Sequence, residues 1–168
     1  MGMDIHGINP KMNKSKDQYK IYFKWDNIGW NIRENEKKEE WEKEKDKFYS
    51  QYDKYETDNK GVYFRNNCWS WRPLWDYCRE IAPDLISREL WNSGHHNDGA
   101  GLDADDSKKL GNRLMEWIAD GRTMKYQEDY RKAQKNSDDE FASGYPFDVD
   151  NVEEFALFCI ESGGFEIC

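Results

Sequence analysis

Six large aromatic side chains crowd into the seventeen residues 61–77, GVYFRNNCWSWRPLWDY: Tyr63, Phe64, Trp69, Trp71, Trp75 and Tyr77. Large aromatics supply much of the burial energy of a small domain, so a run this dense belongs at the centre of a core or in the lining of a pocket. Arg65, Asn66, Asn67 and Arg72 stand between the rings. Guanidinium and amide groups are planar and carry several donors, which suits carboxylates, phosphates and base edges.

The remaining composition frames that run. A chain of 168 residues suits one domain, able to bury roughly two-thirds of its unfolded surface. Only 37% of residues are hydrophobic but 15% are aromatic, so the core is built from few, large side chains. Eight tryptophans weigh against disorder even with 35% charged residues.

The net charge of −9 is concentrated at one end. Residues 136–168 hold Asp138, Asp139, Glu140, Asp148, Asp150, Glu153, Glu154, Glu161 and Glu166 and no Lys or Arg. Non-specific nucleic-acid binding needs a basic footprint, so it is not expected here. The acidic end reads as a solvated surface, or as a face for a basic partner or a mimic of DNA. Cys68, Cys78, Cys159 and Cys168 show no CxxC pairing. No apolar leader opens the chain and no run approaches the ~20 apolar residues of a membrane span. Reduced thiols and a cytoplasmic location are the expectation.

Along the chain, residues 3–8 read as a short strand. Tyr19, Ile21, Phe23 and Trp25 alternate with Lys20, Tyr22 and Lys24, the period of a half-buried strand. Residues 33–57 are highly charged, with Trp41, Phe48, Tyr52 and Tyr55 on one helical stripe. Glu34–Lys38, Glu39–Lys43, Glu42–Lys45 and Glu44–Lys47 are spaced for ion pairs, each contributing roughly 0.2–0.5 kcal/mol. This is a charged helical insertion in a domain spanning 1–168, either a lengthened hairpin or a functional arm. Residues 58–61 end it in turn chemistry, and 62–66 are extended.

Pro73 suits a first helical turn, followed by a core face of Leu74, Tyr77, Cys78 and Ile81. Trp75 and Arg79 fall on another face, placed to stack on each other or on a flat ligand. A short helix is predicted over 84–91, then a turn-rich loop over 92–101. Asp103 caps a helix carrying Leu110, Leu114, Trp117 and Ile118, and Gly121 ends it. Thr123 caps the next, with Tyr126, Tyr130 and Ala133. Residues 135–148 read as a loop. Asp150 and Glu153 resemble a capping box for a last helix with Val152, Phe155, Ala156 and Cys159 inward. Gly163-Gly164 breaks it before a short strand at 165–167. The fold expected is α+β and mainly α-helical, five or six helices with a small β-sheet.

Several site chemistries compete. His95, His96 and Asp98, with nearby Asp103, Asp105 and Asp106, invite a metal. Adjacent histidines converge on one ion poorly, however, and the loop lacks the order of an EF-hand. The plainer reading is a Gly-rich turn with Asp98 and Asp103 as caps. Zinc between Cys68, Cys78 and a His has no spacing support. No GxSxG, phosphate-binding loop or GxGxxG is present. The strongest candidate is the aromatic run itself: Trp69, Trp71 or Trp75 to stack, Arg65 or Arg72 for a phosphate, and Asn66, Asn67 or Asn97 for edges, with His95, His96 and Asp98 across the pocket. Packed core for the tryptophans and loop-carbonyl partners for Arg65 and Asn66 stand beside it.

Three pieces, the opening MGMDIHGINP, the run YFRNNCWSWRPLWDYC, and HNDGAGLDADDSKKL with the ending SGGFEIC, resemble a family of small, largely uncharacterised proteins of bacteria and their phages. The resemblance covers the opening, residues 61–121 and residues 152–168. It implies no catalytic residues. Phage proteins of this size with a pocket often act against host defences, some by sequestering nucleotide signals.

The function expected is therefore a non-enzymatic binding protein without cofactor or metal, holding a small anionic, nucleotide-like ligand. Two other classes stay open at this point. One is an interaction module using the acidic end or the 33–57 helix against a host protein. The other is a metal-assisted hydrolase at His95 and Asp98. A homo-oligomer is compatible with each.

Overall fold

The computed structural model describes residues 2–138 and 144–168. In chain order the elements are β1 (Gly2–Gly7), a 3-10 turn (Lys16–Tyr19), α1 (Lys20–Asp26), a π-helical turn (Ile32–Glu36), α2 (Lys38–Asp58), β2 (Tyr63–Asn67), α3 (Cys68–Ile81), α4 (Arg88–Ser93), β3 (Ala100–Leu102), α5 (Ala104–Ala119), α6 (Arg122–Lys135), α7 (Val149–Glu161) and β4 (Phe165–Ile167). The protein is α+β and mainly helical. Among the described residues there are seven α-helices where five or six were expected. No helix among them is long and apolar enough to cross a membrane.

Two compact units divide the chain: Met1–Lys11 with Lys60–Cys168, and Met12–Asn59. The first is organised by a four-stranded antiparallel sheet in the order β2-β1-β4-β3. Strand alternation divides its residues. Met3, Ile5, Phe64, Phe165 and Ile167 are buried, while His6, Arg65, Asn67 and Glu166 are exposed. The inner face joins Trp71, Leu74, Trp75, Tyr77, Cys78 and Phe155 in one core cluster. Helix α5 approaches α7 closely because Gly111 has no side chain, as a Cβ there would lie 2.6 Å from the Ala156 carbonyl oxygen. Ser107, in α5, spans the same contact by donating to the Cys159 carbonyl at 2.8 Å.

In the second unit Trp25, Trp41 and Phe48 form a separate core. The strand expected at 19–25 is helix α1. Treating Tyr22 as polar produced the false alternation. Ile21, Tyr22, Trp25 and Ile28 fall at i, i+1, i+4 and i+7, and these four pack in that core. The charged helix of 33–57 is α2, preceded by the π-helical turn. Trp41, Phe48 and Tyr55 of its predicted stripe are buried. The Glu42–Lys45 pair forms at 3.7 Å, whereas Glu44 meets Lys24 at 2.5 Å and accepts from the Trp25 indole at 2.7 Å.

Other boundaries shift by small amounts. Pro73 sits inside α3 rather than in its first turn, because α3 already begins after Asn67. The helix expected over 84–91 is α4, capped by Ser87. The loop over 92–101 ends in β3. Asp103 caps α5 by accepting from Asp105 N and Asp106 N. Gly121, at φ +83, follows the C-cap Asp120 as expected and also opens α6. Thr123 is consequently inside α6, buried, its hydroxyl 2.9 Å from that of Tyr77. Asp148, not Asp150, caps α7. Of the acidic stretch and the loop expected over 135–148, residues 139–143 lie outside the described residues.

Candidate functional site

The aromatic run crosses the joint between β2 and α3. Asn67 makes that joint: its backbone is extended, and its side-chain oxygen accepts from Ser70 N at 2.8 Å, the geometry of an N-cap. Helical spacing then separates the tryptophans. Trp71 and Trp75, one turn apart, stack on each other with centroids 5.3 Å apart at 14°. Both are fully buried. Their indole N–H groups donate to the Gly94 carbonyl at 2.7 Å and the Trp91 carbonyl at 3.0 Å. Neither ring has a face for a ligand, so their expected stacking role is withdrawn. They anchor α4 and its C-cap Gly94 to the core. Arg79, expected to pair with Trp75, instead donates to the Pro83 and Ile86 carbonyls.

What remains outside is Arg65, Asn67, Trp69 and Arg72. Trp69 is 48% exposed and its ring lies 4.9 Å from Tyr145. Arg72 joins it there, donating to the Tyr145 hydroxyl at 3.1 Å with its guanidinium 5.8 Å from the ring centroid. Arg65 has a 67% exposed side chain, and its Nε stands 3.6 Å from Asp4 Oδ1. The Tyr63 hydroxyl donates to the same Asp4 oxygen. Arg65, Asn66, Asn67 and Gly2 line an open depression of about 460 Å3. Asn66 is nearly buried, and its amide donates to Asn151 Oδ1 of α7 at 2.8 Å. Asn97 reaches the neighbourhood by donating to the Gly2 carbonyl at 3.2 Å.

The rest of the 95–98 loop is otherwise engaged. His95 Nε2 lies 3.4 Å from Asp76 Oδ1, and its ring meets Trp91 edge-on at 5.1 Å. His96 Nδ1 lies 3.1 Å from the Asn92 carbonyl. Asp98 accepts from Ala100 N at 3.2 Å, with Gly99 at φ +87 completing the turn. Among the described residues no group of three His, Cys, Asp or Glu side chains is placed to hold an ion. Burial pushes the thiols of Cys78 and Cys159 well above their usual range, which leaves them poor nucleophiles.

Gly2, Asp4, Tyr63 (named above only as one ring of the aromatic run) and Tyr145 were missed as site residues in the sequence. The first three are recognisable only once β1 and β2 are paired. Their register sets Asp4 opposite Arg65, Gly2 opposite Asn67 and His6 opposite Tyr63. Alternation in the MDIH segment was the available signal, since it sends Asp4 and His6 to the face opposite Met3 and Ile5. No family model, no curated protein and no solved structure matches this chain.

Proposed function

We propose that the protein is a non-enzymatic binding protein for a small anionic, nucleotide-like ligand, held at the joint between β2 and α3. The observation that carries this reading is the depression lined by Gly2, Arg65, Asn66 and Asn67. Its volume falls in the range of small-molecule sites. Arg65 offers an exposed guanidinium to a phosphate, in the planar fork that binds two oxygens together. Asn67 spends its oxygen on the helix cap, leaving its NH2 to donate to a base or ribose edge. Trp69, two residues on, has an exposed indole for a ring, and stacking of this kind contributes roughly 1–3 kcal/mol. The resemblance of the MGMDIHGINP, YFRNNCWSWRPLWDYC and SGGFEIC segments to bacterial and phage proteins adds the setting. The ligand would be sequestered in the cytoplasm as a counter-defence act.

Calorimetry against a panel of mono-, di-, tri- and cyclic nucleotides tests the reading. The intact protein should bind at least one of them. Arg65→Ala should weaken binding by at least ~10-fold, the loss of a charge-assisted pair. Flat traces for the intact protein overturn it.

A specific observation also favours an interaction module. In the Met12–Asn59 unit Trp30 is 58% exposed beside Ile32 at 37%, and exposed tryptophan is typical of protein-binding anchors. Loss of a captured host protein on Trp30→Ala, with nucleotide traces flat, would favour it over the ligand reading.

A further inference from the structure

The charge around the depression restricts the kind of phosphate it can take. Among the described residues lining it, Arg65 is the one basic side chain. Directly across the sheet pairing stands Asp4, with Oδ1 3.6 Å from the guanidinium Nε. The Tyr63 hydroxyl donates to the same oxygen, which favours this placement of the carboxylate. The next row of the face sets exposed His6 opposite exposed Glu166, a second acid. The whole chain carries −9. The charge nearest the Arg65 guanidinium is therefore the Asp4 carboxylate.

We propose, resting on the binding reading above, that the site selects a singly charged phosphodiester over phosphomonoesters and polyphosphates, and that Asp4 enforces the choice. A diester carries one negative charge, which Arg65 meets with two parallel N–H donors. A terminal phosphate carries close to two charges at neutral pH. Among the described residues lining the depression its second charge finds no further cation, and it adds to the repulsion from Asp4 beside the guanidinium. Gly2 fits the same picture. A Cβ there would lie 3.3 Å from Arg65 Nε, so the missing side chain leaves the guanidinium room beside the strand.

The test is calorimetry with 3′,5′-cyclic AMP, AMP and ATP, and with the matching guanosine set. Intact protein, Asp4→Asn and Arg65→Ala are compared, and the fold of each variant is checked by circular dichroism. Intact protein should bind the cyclic diester about tenfold more tightly than the monophosphate or triphosphate, as expected for one unfavourable charge pair at this range in a solvated site. Asp4→Asn should narrow that gap, because losing the carboxylate strengthens the more highly charged monophosphate and triphosphate more than the singly charged diester. Arg65→Ala should lose all three. The proposal is overturned if AMP or ATP binds the intact protein as tightly as the diester, or if the gap survives undiminished in a folded Asp4→Asn. If that variant does not fold, the preference of the intact protein decides alone. Equal binding of all three, abolished by Arg65→Ala, would remove this inference and keep the binding reading. No binding by the intact protein to any of the six would remove both.

Discussion

At the scale of single residues, the aromatic run does two jobs with one residue type, and helix phase decides which. Trp71 and Trp75 face the core one turn apart; Trp69 faces outward. Gly94 depends on the buried pair. A Cβ at Gly94 would lie 2.3 Å from Trp75 Nε1, although its backbone, at φ −65 and ψ −6, would accept any residue. The restriction is steric. Gly94→Ala should cost about 1–3 kcal/mol by overpacking, read as a lowered urea midpoint with unchanged slope, while nucleotide titration stays as in the intact protein. Equal loss of ligand binding in the folded variant would mean that the indole pair belongs to the site. The sequence marked the run but not this division, because Pro73 suggested a helix start several residues too late. Placing the start at Cys68 after the Asn67 cap sets Trp71, Leu74, Trp75 and Cys78 at i, i+3, i+4 and i+7. That stripe excludes Trp69 and Arg72.

At the scale of elements, α5 holds the end of α3. Arg113 Nη1 donates to the Ile81 carbonyl at 3.2 Å, and the guanidinium takes both oxygens of Asp84. This bidentate pair lowers the Asp84 carboxyl from its ordinary 3.8 to about 2. A carboxylate with a depressed folded-state value stabilises above its unfolded value, and that contribution is lost as pH falls through the folded one. Asp84→Asn should therefore lower the melting temperature slightly at pH 6, by less as pH falls towards 2, and not at all well below that. A difference that persists undiminished at acid pH would assign the loss to something other than the ion pair. Helices of this kind were legible from cap and stripe together, as for Asp103 with Leu110 and Leu114, or from the stripe alone, as for Val152 with Phe155 and Cys159, where Asp148 rather than Asp150 is the cap. They were misread where an aromatic residue counted as polar, as Tyr22 did. Strand β3 was hidden because Ala100, Gly101 and Leu102 have little strand preference of their own and are held by pairing with β4.

At the scale of the molecule, the Met12–Asn59 unit leaves and rejoins the rest of the chain at one place. Lys11 N donates to the Glu161 carbonyl at 2.7 Å. Gly61 touches that same carbonyl, since a Cβ there would lie 2.1 Å from its oxygen. Within the excursion, Lys14 N donates to Asn59 Oδ1 at 3.0 Å, so its own two ends are also together. The sequence showed the charged half of this unit, 33–57, as an insertion. It could not show that the aromatic segment before it belongs to the same body, because Trp25 meets Trp41 only through a helix that was misread as a strand. A segment whose ends meet and whose core, Trp25, Trp41 and Phe48, is its own should tolerate removal as an insertion. Replacing residues 12–59 with a short Gly-Ser linker should leave a protein that unfolds cooperatively. Its nucleotide affinity should match the intact chain, because Gly2, Asp4, Arg65, Asn67 and Trp69 all lie outside the excised segment. Its near-ultraviolet circular dichroism should keep the signal of the stacked Trp71 and Trp75. A collapsed product with no near-ultraviolet signal would show that the sheet-bearing unit cannot hold its core without the excursion.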